Sequence, residues 1–429
     1  MADKRRVAVT GIGLVTPVGG DVASTWAALL EGKSGVAPIG LFDASGFSTR
    51  IAAEVKQCPP LTDRKLAKFA NRSHGFALGA AEEAMRDAGI EPTAENGTRW
   101  GLAVGTGMMG VSFEELDAVH RHSGGEGELQ PQSLLDDESA NDPRVFCRTQ
   151  STSGLALLLK RFGIRGYATS VHTACASGGQ AVGTALKLIR RGAVDAVLAG
   201  GFDSMISPVG LSGFCLLNAV SPDNDTPERA SRPFDATRNG FVLGEGAGFL
   251  VLEAWESALA RGAHVYAELA GDGNSLSSYR ITDSPPDGDG PIQAMRQALA
   301  DAGLTPAEVD YINAHGTSTP MNDRSESAAI RAVFGAQAHD VSVSSTKSVM
   351  GHLIAAAGAV EVAVCALAIR HGEMSINANL SQRDPDCDLN LVVGHAQKKS
   401  IRAALSNSFG FGGSISCVVM RHADYSRAG

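Results

Sequence analysis

Arg86-Asp87-Ala88-Gly89-Ile90-Glu91-Pro92 and Ala300-Asp301-Ala302-Gly303-Leu304-Thr305-Pro306 are two copies of one local pattern. Each follows an Ala-rich helical stretch, turns at a Gly, and passes through a Pro toward a short apolar strand. The strands end in similar Gly/Thr turns, Val104-Gly105-Thr106-Gly107 and Ala314-His315-Gly316-Thr317. A second echo follows in the same order. The helical stretch from Cys175 ends Ile189-Arg190-Arg191-Gly192, and the one from His352 ends Ile369-Arg370-His371-Gly372. Two matched features in one order predict a duplicated α/β unit, with halves 1–256 and 257–429 joined near 253–265.

Outward from the repeat, short apolar stretches predict strands at Arg6–Thr10, Trp100–Gly105, Ala196–Ala199, Gly248–Leu252, Tyr311–Ala314, Val341–Ser344 and Ala404–Asn407. Their near-continuous apolar character suits strands covered on both faces, and helical stretches lie between several of them. The fold class is therefore α/β. Val111 to Arg144 and Asn274 to Gly290 are the least regular segments and read as surface loops or caps over a site.

The bulk properties narrow the function classes. The chain has 429 residues, and its 37 basic against 46 acidic residues give a net charge of -9. That argues against nucleic acid as a partner, since such binders carry a basic face. The seven cysteines are scattered, odd in number and never paired as C-x-x-C, which argues against a disulfide framework or a metal site and fits a reducing, cytoplasmic setting. Lys4-Arg5-Arg6 before an apolar stretch imitates a signal peptide, but Gly11, Gly13, Thr16 and Pro17 interrupt it, so a first strand is the better reading. The longest apolar run, Leu353 to Ile369, carries Glu361 at its centre and reads as a buried core helix, with no membrane implied.

Four elements carry candidate chemistry. In Thr173-Ala174-Cys175-Ala176-Ser177-Gly178-Gly179 a cysteine stands among small residues where a helix begins. The positive end of the helix dipole and nearby amides favour thiolate, and the small neighbours admit a substrate carbonyl. An inert buried cysteine fits the same residues. In Asn313-Ala314-His315-Gly316-Thr317-Ser318-Thr319-Pro320 a histidine sits at a strand end, where α/β proteins place ligands. Ser345-Thr346-Lys347-Ser348-Val349-Met350-Gly351-His352 opens the apolar helix that carries Glu361. Lys347 and Glu361 read as a buried pair, structural or functional, because an unpaired Glu on that helix is costly. Asn407-Ser408-Phe409-Gly410-Phe411-Gly412-Gly413 ends a strand in a glycine-rich turn. Its amides suit an oxyanion hole, and a tight hairpin turn is the plain alternative.

Together these elements make a Cys-His-His constellation, and in combination the chain resembles the elongating β-ketoacyl-[acyl carrier protein] synthases of the thiolase superfamily. Gly11-Ile12-Gly13-Leu14-Val15-Thr16-Pro17, Ala230-Ser231-Arg232-Pro233-Phe234-Asp235 and Gly240-Phe241-Val242-Leu243-Gly244-Glu245-Gly246 add to that resemblance, which covers nearly the whole chain. It implies a thiolase-like, five-layered αβαβα fold in two halves, the first with the nucleophile and the second with the catalytic histidines. It implies that Cys175 takes an acyl chain from the phosphopantetheine of an acyl carrier protein. His315 and His352 then promote decarboxylation of a malonyl unit, and the amides of Cys175 and Phe411 hold the oxyanion. Thr317 and Thr319 match pantetheine contacts, Lys347 and Glu361 a supporting charged pair, and Met108 and Phe411 the acyl pocket and its gate. Lys65 and Lys68, in Thr62-Asp63-Arg64-Lys65-Leu66-Ala67-Lys68, match basic residues that dock an acidic carrier. No metal or redox cofactor is implied. The expected assembly is a dimer with an identical copy or with a chain-length-factor-like homologue.

Other readings are weaker. A degradative thiolase needs a second cysteine in the C-terminal glycine loop, and Gly410 to Gly413 has none. Initiating synthases use Cys-His-Asn, where this chain has His352. A non-catalytic chain-length subunit lacks the nucleophile. Within the resembled family, fatty-acid and polyketide or polyene elongation both remain open. Ser277-Ser278-Tyr279-Arg280-Ile281-Thr282 and Gly107-Met108-Met109-Gly110 depart from the common fatty-acid pattern. Arg280 is read as a cation near the entrance that favours a polar intermediate.

Overall fold

The computed structural model describes residues 5–58, 60–61, 63–107, 113–122 and 143–425. Ten strands and six helices build the frame. The first half contributes β1 (Val7–Val15), β2 (Trp100–Thr106), β3 (Ala168–Val171), β4 (Ala196–Asp203) and β5 (Gly246–Ala254). The second contributes β6 (Ala267–Leu276), β7 (Tyr311–Asn313), β8 (Ser342–Ser344), β9 (Ala403–Phe409) and β10 (Ser414–Arg421). The helices are α1 (Arg72–Ala88), α2 (Ser153–Phe162), α3 (Ser177–Arg190), α4 (Asp289–Ala302), α5 (Pro320–Phe334) and α6 (Ala357–His371).

The strand order is β3-β2-β4-β5-β1 in one half and β8-β7-β9-β10-β6 in the other, so each half repeats the same order. In each, four strands run in one direction and one, β5 or β10, runs against them. The halves meet where Ala8 and Val9 pair with Glu268 and Ala267.

Alternate residues along a strand face opposite sides, so a strand covered on both faces feeds two cores. Phe249 and Val251 of β5 pack with α1 in an outer core, while Leu250 and Leu252 join a central core around α3 and α6. In β10, Cys417 and Val419 pack with α4 and α5, and Val418 and Met420 face the centre. Three apolar cores therefore separate five layers, helix, sheet, helix, sheet, helix.

Glycine explains how the outer helices come so close. A Cβ on Gly11 or Gly13 of β1 would lie 2.2 Å from Ala84 O or 1.9 Å from Ala80 O of α1. Gly271 and Gly273 of β6 meet Ala298 O and Ala294 O of α4 in the same way, at 2.3 and 2.1 Å. Gly11 and Gly13 thus do not interrupt β1, which continues to Val15. The apolar run around Glu361 is the central helix α6, buried from Ala357 to Ile369.

All seven strands read from the sequence are present, with shifted ends. Two irregular segments are more regular than expected. Phe113–His122 and Pro143–Thr149 are helical, and β6 extends to Leu276.

Candidate active site

The site forms at the C-terminal ends of the parallel strands, the usual ligand position in open α/β sheets. Four residues beyond β3, Cys175 lies in a 3-10 turn, Ala174–Ala176, and α3 begins only at Ser177. The sequence reading placed Cys175 on the helix itself. The turn lifts it off the helix end and into a cavity of about 720 Å³, which is also lined by His315, His352, Thr317, Thr319 and Phe411.

Burial pushes the Cys175 thiol up to about 12, even though Lys347 and the N–H groups of Phe411 and Cys175 itself favour the thiolate. The expected resting thiolate is thus corrected to a protonated thiol. Desolvation outweighs the helix terminus because the side chain is closed off from water. The two amides converge on Sγ, so the glycine-rich turn is both a hairpin between β9 and β10 and a source of donors.

His315 and His352 face each other almost at right angles, with ring centroids 5.3 Å apart. Burial holds both well below the ordinary histidine value, and the Lys347 charge adds to this. Both rings are therefore neutral. Nδ1 of His352 accepts the Ile354 N–H at 3.1 Å, so its proton sits on Nε2. Lys347 and Glu361 form a salt bridge with side chains 1% and 2% exposed, outside the cavity wall. Burial raises the Glu361 carboxyl, and Lys347 opposes the rise.

Thr317 and Thr319 share a hydroxyl hydrogen bond of 2.9 Å. Lys65 and Lys68 are exposed at a short helix, Arg64–Ala67, and do not line the cavity. Met108 lies outside the described residues. Arg280 does not line the cavity either. Its side chain is 61% exposed and sits 3.6 Å from Asp283, which does line the cavity. Its neighbours do reach the site: Ile281 O accepts the Gly412 N–H at 2.7 Å, and Ser277 N–H donates to Gly413 O at 2.8 Å. The 277–281 loop and the glycine turn are thereby tied together.

Two carboxylates escaped the sequence reading. Glu326 of α5 accepts from His315 N–H and Gly316 N–H, both at 2.8 Å, and from Asn407 Nδ2 at 3.0 Å. Nothing in Met321-Asn322-Asp323-Arg324-Ser325-Glu326 distinguishes it from a surface helix. Asp203 ends β4, lines the cavity and accepts the Ala355 N–H at 3.1 Å. Its place at the end of a parallel strand was the available signal.

A buried cysteine before two neutral imidazoles, on a doubled five-layer α/β frame, defines a condensing enzyme of the thiolase-like class. Residues 4–258 match the family "Beta-ketoacyl synthase, N-terminal domain", and residues 266–381 match "Beta-ketoacyl synthase, C-terminal domain". The chain belongs to the β-ketoacyl synthase family. It is 40% identical to 3-oxoacyl-[acyl-carrier-protein] synthase 2 of Coxiella burnetii, over 97% of this chain and 99% of that one. It is 42% identical to the putative polyketide beta-ketoacyl synthase 1 of Streptomyces cyaneus, over 97% and 98%. Among solved structures it is similar to a type II polyketide ketosynthase in complex with its acyl-carrier protein and bound to the hexaketide. There the TM-score is 0.86 and the identity 35%, over 98% of this chain and 100% of that one.

Proposed function

We propose that this chain is a β-ketoacyl-[acyl carrier protein] synthase that elongates an acyl chain held as a thioester on Cys175. The observation that carries the reading is the meeting of Cys175, its two amide donors and two neutral imidazoles in one cavity. Sγ of Cys175 attacks the carrier thioester and loses its proton. The bond to pantetheine sulfur breaks, and that sulfur takes up a proton. In the malonyl unit the bond to the carboxylate breaks and carbon dioxide leaves. The electron pair becomes an enolate whose oxygen is held by the N–H groups of His315 and His352. The enolate carbon attacks the acyl carbonyl on Cys175. The amides of Phe411 and Cys175 hold the oxyanion, and the cysteine thiolate leaves and is reprotonated.

Neutral imidazoles suit this role, because they donate a hydrogen bond without adding charge to a buried site. In this reading Thr317 and Thr319 of the cavity lining hold pantetheine, and the exposed Lys65 and Lys68 steer an acidic carrier. The chemistry requires no metal or redox group. Strand β3 is short and half-buried, and its outer edge has no partner among the described residues, which suits pairing with a second copy or a homologue. A cytoplasmic setting accompanies this reading.

The test is acyl transfer from loaded carrier protein, mapped by peptide mass spectrometry. The acyl mass is expected on the Cys175 peptide and on no other. Transfer that persists in Cys175→Ala rejects the assignment.

A further inference from the structure

Asp203 lines the acyl cavity, and the condensation chemistry leaves it without a role. It ends β4 and is 4% exposed. Its two carboxylate oxygens accept two different amides. Oδ1 takes the Ser204 N–H at 2.8 Å and Oδ2 the Ala355 N–H at 3.1 Å. Ser204 is itself anchored: its hydroxyl donates to Glu245 at 2.6 Å, and Glu245 also accepts the Val55 N–H at 2.9 Å. Ala355 belongs to the 3-10 turn Ile354–Ala356, which packs on the same strand, since a Cβ on Gly201 would lie 2.9 Å from Ala355 O. The amide one residue earlier, Ile354 N–H, donates to Nδ1 of His352 at 3.1 Å. Two successive amides of one turn thus reach Asp203 and His352 respectively.

We infer that Asp203 is a positioning residue for the proposed condensation, and that it sets the tautomer of His352 through the turn at 354–355. The inference rests on the proposed condensing activity. Ile354 is β-branched at φ +48°, a backbone that relaxes unless its surroundings hold it. The Asp203 carboxylate holds it from the end of β4. The backbone of His352 is fixed separately. Its N–H donates to Val242 O at 2.8 Å, and its carbonyl accepts the Gly244 N–H at 2.9 Å. The Ile354 amide therefore acts on the ring and not on the chain. With that amide on Nδ1, the proton sits on Nε2, where it can meet the enolate oxygen. Without Asp203 the turn relaxes and Nδ1 loses its donor. The Nδ1–H form then presents a lone pair to the enolate oxygen in place of a hydrogen bond. The Asp203 charge also opposes the Cys175 thiolate. Removing Asp203 should therefore act differently on the two half-reactions.

The experiment measures octanoyl transfer from carrier protein to Cys175, and carbon dioxide release from malonyl carrier protein, in the parent, Asp203→Ala and Asp203→Asn. It is run at pH 8, where the parent carboxyl, raised by burial to about 7, is charged. Spectra of protein labelled with 15N-histidine report the tautomer of His352, whose signals are assigned by their absence in His352→Asn. The parent is expected to show the proton on Nε2 alone, and Asp203→Ala to show both tautomers. Asp203→Ala loses both acceptors, so carbon dioxide release falls about tenfold, while acyl transfer is no slower than in the parent. Asp203→Asn loses the same charge but keeps one acceptor for two amides, so its loss of carbon dioxide release is about threefold. Equal losses in Asp203→Ala and Asp203→Asn overturn the inference, because the charge and not the acceptor would then matter. Parallel slowing of both half-reactions, or a His352 proton that stays on Nε2 in Asp203→Ala, also overturns it and leaves the condensing activity standing. If Asp203→Ala does not fold, Asp203→Asn decides alone, and a ratio of the two half-reactions equal to the parent's overturns the inference. Absence of carbon dioxide release from the parent rejects the proposed function itself, and the inference with it.

Discussion

Ala174 and Ile354 take the same left-handed backbone, φ +49° and +48°, at the same step of the two half-folds. Each opens a 3-10 turn that feeds a central helix, and the next residue is Cys175 in one half and Ala355 in the other. The duplicated frame thus presents two equivalent elbows. One carries the thiol, and the other sends its Ala355 N–H to Asp203. A β-branched residue at positive φ is a strained choice that the surrounding packing must hold.

The strain at Ala174 is directly testable. Ala174→Gly removes the steric cost of positive φ but adds freedom to the unfolded chain, so the two effects nearly cancel. Stability within about 1 kcal/mol of the parent is expected for Gly, and a loss of about 2 kcal/mol or more for Ala174→Val. Denaturant unfolding of both variants decides it. Equal destabilisation by Gly and Val would show that the elbow is not strained.

Lys347 and Glu361 are buried together, so removing one leaves the other charged and unpaired. Lys347→Met is expected to cost about 3–5 kcal/mol, and Lys347→Met with Glu361→Gln to recover part of it. Activity follows a different course. Lys347 favours the Cys175 thiolate and opposes protonation of both histidines. The double variant therefore stays slow in acyl transfer after its stability returns. Recovery of both together would make the pair purely structural.

Much of this frame was legible because repetition is visible in sequence. The two Asp-Ala-Gly turns close α1 and α4, and the two Arg/His-Gly endings close α3 and α6. Strands β3, β6 and β10 were not legible. Ala267–Leu276 carries Asp272, Asn274 and two glycines needed for the approach of α4, which mask its alternation. Cys175, His315 and His352 stood out because small residues or glycine flank them. Their charge states did not, because desolvation depends on the finished packing. Glu326 was missed for a related reason: it has no local pattern and acquires its neighbours only when distant elements meet.

His74 makes acid stability predictable. Burial lowers it to about 4, its Nδ1 accepts the Asn71 N–H and its Nε2 meets Ser153 Oγ. The unfolded chain, with an ordinary value of 6.5, binds more protons between these values. The contribution of neutral His74 is therefore complete above 6.5 and lost as pH falls toward 4. Asp203 and Glu326, raised to about 7, act with the opposite sign in the same range. They are present in both proteins of a comparison and cancel. The stability gap between the parent and His74→Gln should narrow by about 2 kcal/mol from pH 7.5 to 5. A gap independent of pH would show that His74 does not titrate in this window.

Glu326 holds the turn that carries His315, and its effect should separate the two half-reactions. Its carboxylate accepts three N–H donors and has no room for a donor of its own. Burial raises it to about 7, so it gains a proton as pH falls through neutrality. The added O–H competes with the amides of His315 and Gly316 and loosens the turn. Acyl transfer to Cys175 uses the thiol and the amides of Phe411 and Cys175, so it is insensitive to this change. Decarboxylation needs His315 in place. Glu326→Gln puts an NH2 group where an acceptor is required, and one of the three donors goes unpaired. Carbon dioxide release from malonyl carrier protein is expected to fall about tenfold, the cost of one unpaired buried donor, while acylation persists. The parent should lose decarboxylation as pH drops below about 7, and the Gln variant, which keeps only Asp203 to titrate in that range, should lose proportionally less of it. Parallel loss of both half-reactions at all pH values would mean that Glu326 supports the fold and does not position His315.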